Sequence, residues 1–317
     1  MLDIKEGEKL SKYTTFNLGG AAKYFVAVKN NEDLAMAIKW AKENNQKYFV
    51  LGGGSNVFFG DEGFDGLVIK IEFDEINLES GNVFGGSGML LVEFIKKAAE
   101  AGFGGLESLA GIPGTIGGAT CGNAGAFGKS LSDVMEKAEI FFPLPDGNYK
   151  IEAVDNSWFQ YDYRLSKLKY WEGADKPIIL KVWFKAESCD KEQVVLKVNE
   201  ILKTREAKQP KGYSAGCAFK NIKGPIVGEL LEKDFFSAEE KQLFASRGAI
   251  PAGWFIDHAE LKGKKINGAY VPSEHANYIM NDGTAKAGDI VALISYIKQQ
   301  VRDKYGVQLE EEVQIII

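Results

Sequence analysis

The stretch Gly104-Gly105-Leu106-Glu107-Ser108-Leu109-Ala110-Gly111-Ile112-Pro113-Gly114-Thr115-Ile116-Gly117-Gly118-Ala119 decides how the rest of this 317-residue chain is read. Its glycines are too dense for the interior of a packed helix or strand, and each loses more backbone entropy on folding than any other residue. Clustered glycines mark a loop whose bare N–H groups approach something closely, commonly an anion such as a phosphate. A second such loop, Gly52-Gly53-Gly54-Ser55-Asn56, follows the apolar run Tyr48-Phe49-Val50-Leu51. Asn123-Ala124-Gly125-Ala126 lies just past the first. Either loop alone reads as a tight turn; together they point to a large phosphate-bearing cofactor.

The second loop is not a dinucleotide fingerprint. That spacing needs a third glycine at position 57, which is Val57, and a helix afterwards, where the chain has Phe58-Phe59-Gly60-Asp61. Around these loops the chain alternates strand and helix. Tyr24–Val28 reads as a strand, a helix follows with Leu34, Ile38 and Ala41 on one face, and Leu67-Val68-Ile69 is a further strand. The pattern restarts near residue 71, with a helix over 90–101 and strands over 137–142 and 178–184. A helix over 194–205 precedes the break Lys208-Gln209-Pro210-Lys211-Gly212. A third unit then closes with a helix over 287–305 and a strand over 307–317.

Bulk properties exclude several classes. At 45% hydrophobic and 26% charged residues the chain reads as an ordinary globular protein of two or three domains. A net charge of −6 argues against a general nucleic-acid binder. No apolar run is long enough to span a bilayer, and the N-terminus lacks the regions of a secretion signal, so a cytoplasmic location is expected. Cys121, Cys189 and Cys217 read as reduced thiols and fit no metal pattern. The only histidines are His258 and His275, which leaves no basis for a His-rich metal site.

Four stretches carry candidate chemistry. Arg164, in Tyr163-Arg164-Leu165-Ser166, is either stacked on a core edge or aimed at a carboxylate that its fork can grip. Cys217, after Ser214-Ala215-Gly216, is either an inert buried thiol or a reactive one exposed by its flanking glycine. Glu310-Glu311-Glu312, on a strand, would alternate faces, leaving Glu311 opposite its neighbours. His275 reads as a hydrogen-bonded contact residue.

These residues, in this order, resemble the UDP-N-acetylenolpyruvoylglucosamine reductase (UDP-N-acetylmuramate dehydrogenase) family. The likeness runs through Thr15–Gly20, Leu51–Asn56, Gly105-Leu106-Glu107, Gly111–Gly118, Asn123–Gly128, Tyr163–Ser166, Gly216–Asn221, Leu261-Lys262-Gly263, Asn277, Asn281 and Leu309–Val313. The short segment after Arg164 matches the compact type, which lacks an inserted substrate loop. The resemblance implies an α+β fold: a two-part FAD-binding region of the vanillyl-alcohol-oxidase type and a C-terminal α+β substrate domain. The expected division is 1–70 and 71–205 for FAD, 206–306 for the UDP-sugar, and 307–317 as a strand returning to the active site.

The implied reaction is NADPH-dependent reduction of UDP-N-acetylglucosamine enolpyruvate to UDP-N-acetylmuramate, through non-covalent FAD, for peptidoglycan synthesis. The implied catalytic residues are Arg164, Cys217 and Glu312. Those implied for FAD are Gly52, Gly53, Gly54, Ser55, Asn56, Gly111, Ile112, Pro113, Gly114, Thr115, Gly117, Gly118, Asn123, Ala124 and Gly125. Tyr163, Lys208, Asn221 and Lys262 are implied for the substrate. The expected partners are the UDP-sugar and NADPH, with no nucleic acid, no membrane and a monomeric state. In most of the family a serine stands where this chain has Cys217, and a proline where it has Ile222. The thiol keeps a proton donor in place, since an unperturbed thiol titrates near about 8.5 and is a stronger acid than an alcohol. A flavin oxidase that tethers FAD through histidine is the nearest rival, but no histidine precedes residue 258. A non-catalytic nucleotide-sugar binder would not need Arg164, Cys217 and Glu312 together.

Overall fold

The computed structural model describes residues 2–317 except Pro145 and Ala174. The first sheet has the strand order Lys5–Lys9, Ala21–Val28, Phe64–Ile71, Tyr48–Leu51. Its first pair is antiparallel and the other two are parallel. The helix Asn31–Glu43 is the crossover from Ala21–Val28 to Tyr48–Leu51, and Phe64–Ile71 inserts between those two strands. The Asn30 side chain caps that helix by accepting from the Asp33 N–H at 2.8 Å. Leu34, Ala37, Ile38 and Ala41, at helical spacing, are buried against the sheet.

The second sheet is antiparallel throughout, ordered Tyr149–Asp155, Met135–Pro143, Ile178–Phe184, Asn82–Gly86, Ile76–Glu79. The helices Leu91–Glu100 and Lys191–Lys208 pack on it and on each other, burying Leu91, Phe94, Ile95, Val194 and Val198. The C-terminal helix Ala287–Tyr305 buries Ile290, Leu293, Ile294, Ile297 and Val301, each worth about 1.5–3 kcal/mol relative to exposure. Gly306, at φ +70°, ends that helix in the left-handed conformation that glycine adopts most easily.

Three features differ from the expected elements. The helix expected over 194–205 runs from Lys191 to Lys208, so it reaches the break in the chain. A strand at Lys5–Lys9, unmarked by its mostly exposed polar residues, adds an edge to the first sheet. The strand expected over 307–317 is confined to Gln314–Ile316. Residues just before it are taken up elsewhere: Lys220 N–H donates to Glu310 O, and Glu312 N–H to Ala218 O.

The C-terminal part is mortised into the first sheet's loops. Gln314–Ile316 pairs in parallel with Val57–Phe59. The Asp61 carboxylate accepts from the Ala287 and Gly288 N–H groups, capping a helix from across the boundary. Asn281 Nδ2 donates to Phe16 O at 3.0 Å, and Ser214 N–H to Thr15 O. Phe16, Leu18 and Phe58 share one core with Phe219 and the C-terminal helices.

Candidate active site

Local packing explains the glycines. A Cβ at Gly53 would stand 2.7 Å from Gly114 Cα, and one at Gly52 would stand 2.7 Å from Thr115 Oγ1. A Cβ at Gly54 would strike the Tyr13 carbonyl, and Gly54 also has φ +61°. At Gly117 the obstacle is Ser87, whose carbonyl accepts the Gly117 N–H at 2.9 Å. The two glycine loops thus lie against each other, and their glycines are first of all the condition for that contact.

A cavity of about 500 Å³ opens beside them, between the two sheets. Its lining includes Tyr48–Asn56, Thr115, Gly117, Gly118, Ile178 and Ile179. Lys42 and Gln46 also line it, as do Cys121, Lys169 and Gln314. Ser87 Oγ belongs to the lining, is sealed from solvent, and has no hydrogen-bond partner. A space of this size with bare backbone and an orphaned hydroxyl suits a dinucleotide cofactor. A second, more open cleft of about 650 Å³ shares Gly53 and Thr115 with it, ringed by Lys12, Lys29, Lys70, Lys97, Glu72, Asp74 and Glu93. Those charges nearly cancel, and the linings of both cavities leave out Arg164, Cys217 and Glu312.

Of the residues expected to hold the cofactor, Gly52–Asn56, Thr115, Gly117 and Gly118 line the first cavity, whereas Gly111, Ile112, Pro113, Gly114, Asn123, Ala124 and Gly125 do not. The latter are engaged with protein. Ile112 is in the core, and Pro113 O accepts from Ser55 Oγ. A Cβ at Gly114 would meet Ser55 Oγ. Asn123 Nδ2 donates to Asp162 O at 2.9 Å, and Ala124 N–H to Ala119 O. Gly125 O accepts from Arg164 Nη2 at 2.9 Å.

These contacts fix Arg164. It sits in the tight turn Asp162–Leu165 at φ +57°, a conformation costing a non-glycine residue about 1–2 kcal/mol. Surrounding bonds hold it there: Asn123 to Asp162 O, Ser166 Oγ to Cys121 O at 2.6 Å, and Lys169 Nζ to Arg164 O at 3.3 Å. Arg164 Nε lies 2.7 Å from Glu312 Oε1, with both side chains mostly buried. The N–H points off that line, leaving a close ion pair with an unsatisfied donor.

Cys217 is brought to the same place by its neighbours. Gly216, at φ +77°, turns the chain. Cys217 then bridges Tyr278, while Phe219 exchanges bonds with the Asn277 amide, accepted by Oδ1 at 3.1 Å and donated by Nδ2 at 2.8 Å. Since Ala218 O accepts the Glu312 N–H, the Cys217 segment runs beside Glu312.

Burial pushes the Cys217 thiol up to about 12, helped by the Glu312 charge and opposed by Arg164 and Arg205. The expectation of a thiol near 8.5 is corrected by that burial. Burial likewise raises the Glu312 carboxyl, with Arg164, Lys169 and Lys220 pulling it back. Glu310 and Glu311 are engaged elsewhere, with Lys220 at 3.1 Å and Lys298 at 2.7 Å.

Tyr163 and Asn221 meet: the Asn221 N–H donates to Tyr163 Oη at 3.2 Å, and Lys223 Nζ lies 4.1 Å from the Tyr163 ring centroid. Lys208 is exposed at its helix end, and Lys262 is paired with Asp257 at 2.8 Å. His275 is half-buried, and its Nδ1 accepts from the Asn277 N–H. The sequence reading gave no role to Ser87, Cys121, Lys169, Arg205 or Gln314. Only Ser87, inside Gly85-Gly86-Ser87-Gly88, carried a local signal.

A cavity lined by Gly52–Asn56 of one glycine loop and by Thr115, Gly117 and Gly118 of the other points to a class, the FAD-dependent oxidoreductases. Residues 22–150 match the FAD binding domain. Residues 208–316 match the UDP-N-acetylenolpyruvoylglucosamine reductase, C-terminal domain. A reductase of that name from Caldicellulosiruptor bescii is 33% identical over 319 residues, covering 99% of this chain and 91% of the relative. One from Nostoc punctiforme is 35% identical over 317 residues, covering 99% and 86%. The crystal structure of the Thermus caldophilus reductase superposes with TM-score 0.75 at 29% identity, covering 100% of this chain and 99% of that one. The chain belongs to the UDP-N-acetylenolpyruvoylglucosamine reductase family. Its cofactor is FAD, and its fold is the two-part FAD-binding region with a C-terminal α+β domain.

Proposed function

We propose that this protein reduces UDP-N-acetylglucosamine enolpyruvate to UDP-N-acetylmuramate with NADPH, as a cytoplasmic monomer that binds no nucleic acid. The observation that carries this reading is the meeting of the Arg164–Glu312 pair at 2.7 Å with the Cys217 segment. FAD, held by Gly52–Asn56, Thr115, Gly117 and Gly118, would supply the hydride chemistry that links NADPH to the enolpyruvyl methylene carbon. As hydride adds, negative charge grows on the adjacent carbon and its carboxylate, and the role given to Arg164 is to stabilise that charge. Cys217 gives its proton to that carbon, and the thiolate regains one from water. At about 12 the thiol is still a stronger acid than an alcohol, so it suits the post that most of the family fills with serine.

Glu312 keeps Arg164 in place, and its raised carboxyl lets it bridge by a hydrogen bond. Gly52–Asn56, Thr115, Gly117 and Gly118 hold FAD, with Ser87 as a further donor. Gly111–Gly114 and Asn123–Gly125 shape that loop pair and the Arg164 turn. Tyr163, Asn221, Lys208 and Lys262 take the nucleotide-sugar. The domains fall at 1–70, 71–205, 206–306 and 307–317.

Anaerobic titration tests the reading. NADPH should bleach the flavin absorbance, and UDP-N-acetylglucosamine enolpyruvate should restore it. A flavin that NADPH reduces but this substrate does not reoxidise would overturn it.

A further inference from the structure

The cofactor cavity carries an unbalanced charge. Its lining includes Lys42, Lys47, Lys169 and Lys176 and, among the described residues, no aspartate or glutamate. Lys169 is set apart by what it touches. Its Nζ donates to Arg164 O at 3.3 Å, and Asn56, in the same lining, donates through Nδ2 to Glu312 O at 3.0 Å. The cavity wall is thus bonded directly to both members of the Arg164–Glu312 pair. Lys42 donates instead to Leu144 O, and Lys47 lies over the Phe64 ring. The backbone around Lys169 is pinned. Lys167 N–H donates to Phe159 O at 2.7 Å, Lys169 N–H to Ser166 O at 2.9 Å, and Leu168 is buried in the core. Lys169 is half-buried and, among the described residues, forms no ion pair. Burial pushes its ammonium toward losing the proton; Lys220 and Arg164 add to this, and Glu312 and Cys121 oppose it. An anion arriving beside it would reverse that penalty.

FAD brings two kinds of negative charge to such a wall. The diphosphate is permanently charged and suits the bare N–H groups of the glycine loops. The other charge appears only on reduction. Hydride carries two electrons and one proton, so the isoalloxazine ring gains one negative charge as the C–H bond of NADPH breaks and an N–H bond forms on the ring. The ring must face the reacting end of the site, where the wall is bonded to Arg164 and Glu312. We propose that Lys169 is a cofactor-binding cation that meets the negative charge of reduced FAD and so raises its reduction potential. This inference rests on the reading above of Arg164 and Glu312 as the reacting end.

The reduction potential of the FAD-loaded enzyme tests it, measured against a reference dye with xanthine and xanthine oxidase as reductant, beside the dissociation constant of oxidised FAD. A residue that favours the reduced form shifts the potential, and one that favours both forms equally does not. Lys169→Met keeps an unbranched stem and removes the charge. Its potential should fall by about 30–60 mV, a tenfold to hundredfold shift in the reduction equilibrium, with the affinity for oxidised FAD nearly unchanged. The parent supplies a second measurement that needs no variant. Its reduced flavin, titrated by absorbance, should take up the second proton at least about one pH unit below free reduced FAD, the same tenfold. A parent flavin that ionises like free reduced FAD would overturn the inference. Weaker binding of oxidised FAD at an unchanged potential would assign Lys169 to the diphosphate and overturn it. Unchanged affinity and potential would leave Lys169 as a prop for the Arg164 turn and overturn it too. None of these readouts uses the sugar substrate, so the anaerobic titration with that substrate judges the functional reading separately.

Discussion

Burial sets the acidity of Cys217, and alkylation measures it. An ordinary thiol near 8.5 is about one quarter thiolate at pH 8, the form that attacks iodoacetamide. A thiol pushed up to about 12 is thiolate in about one molecule in ten thousand at that pH. The thiolate population is thus about two thousandfold below that of an unperturbed thiol, and the greater nucleophilicity of a more basic thiolate offsets part of this, leaving a rate lower by roughly one to two orders of magnitude. The sign follows from which form burial disfavours: the charged thiolate loses solvation, so the proton stays on through the neutral range. Peptide-resolved mass spectrometry after timed exposure to iodoacetamide reads this directly, with the exposed Cys189 as internal reference. Poor access alone would also slow the reaction, so the pH dependence is decisive. Cys217 modification should keep rising about tenfold per pH unit up to pH 10. A plateau near pH 9, or modification at pH 8 as fast as at Cys189, would refute the burial account. A thiol that holds its proton also predicts that substrate-driven flavin reoxidation shows no basic limb owed to Cys217 below pH 10.

Cys217→Ala should still be bleached by NADPH, while reoxidation by substrate slows by roughly a hundred- to ten-thousandfold; Cys217→Ser should recover much of that rate in rapid-mixing traces. Arg164→Lys keeps the charge but loses the fork, so kcat should fall by more than KM rises; a change in KM alone would make Arg164 a ground-state binding residue. Gly53→Val drives a side chain into Gly114 Cα, and should yield flavin-poor protein with a lowered Tm, by overpacking of about 1–3 kcal/mol or more. Asp61→Ala removes a cap supplied from across the chain, and should cost about 0.5–2 kcal/mol in denaturant unfolding.

The sequence carried the periodic helices and the apolar strands because their signals are local. Leu91, Phe94, Ile95 and Ala98 fall on one face whatever the rest of the chain does. It carried the glycine loops as loops, but not the reason for them. Gly53 needs to be bare because residue 114, sixty-one positions away by numbering, lies against it. The last strand was read too long for the same kind of reason. Residues 310–312 have strand-like neighbours in sequence, yet their backbone groups are taken by Ala218 and Lys220. Arg205 left no trace at all, since a basic residue in the last turn of a helix is what the helix dipole favours anyway. Only the fold shows that it forms no ion pair among the described residues.

One asparagine joins the Gly52–Asn56 loop to the Arg164–Glu312 pair. Asn56 O accepts the Gln314 N–H at 2.9 Å, while Asn56 Nδ2 donates to Glu312 O at 3.0 Å. Glu312 in turn fixes Arg164 through its side chain and the Cys217 segment through its own N–H. The chain of contacts runs from the loop beside the cavity, through one acidic residue, to both Arg164 and the Cys217 segment. Catalysis by positioning is lost when such groups drift by about an ångström. Three parts of the sequence, near residues 56, 164 and 217, are thus held in register by a fourth that reaches them last, at 312–314. That explains why the C-terminal residues are woven into the first sheet's loops instead of ending on the surface of their own core.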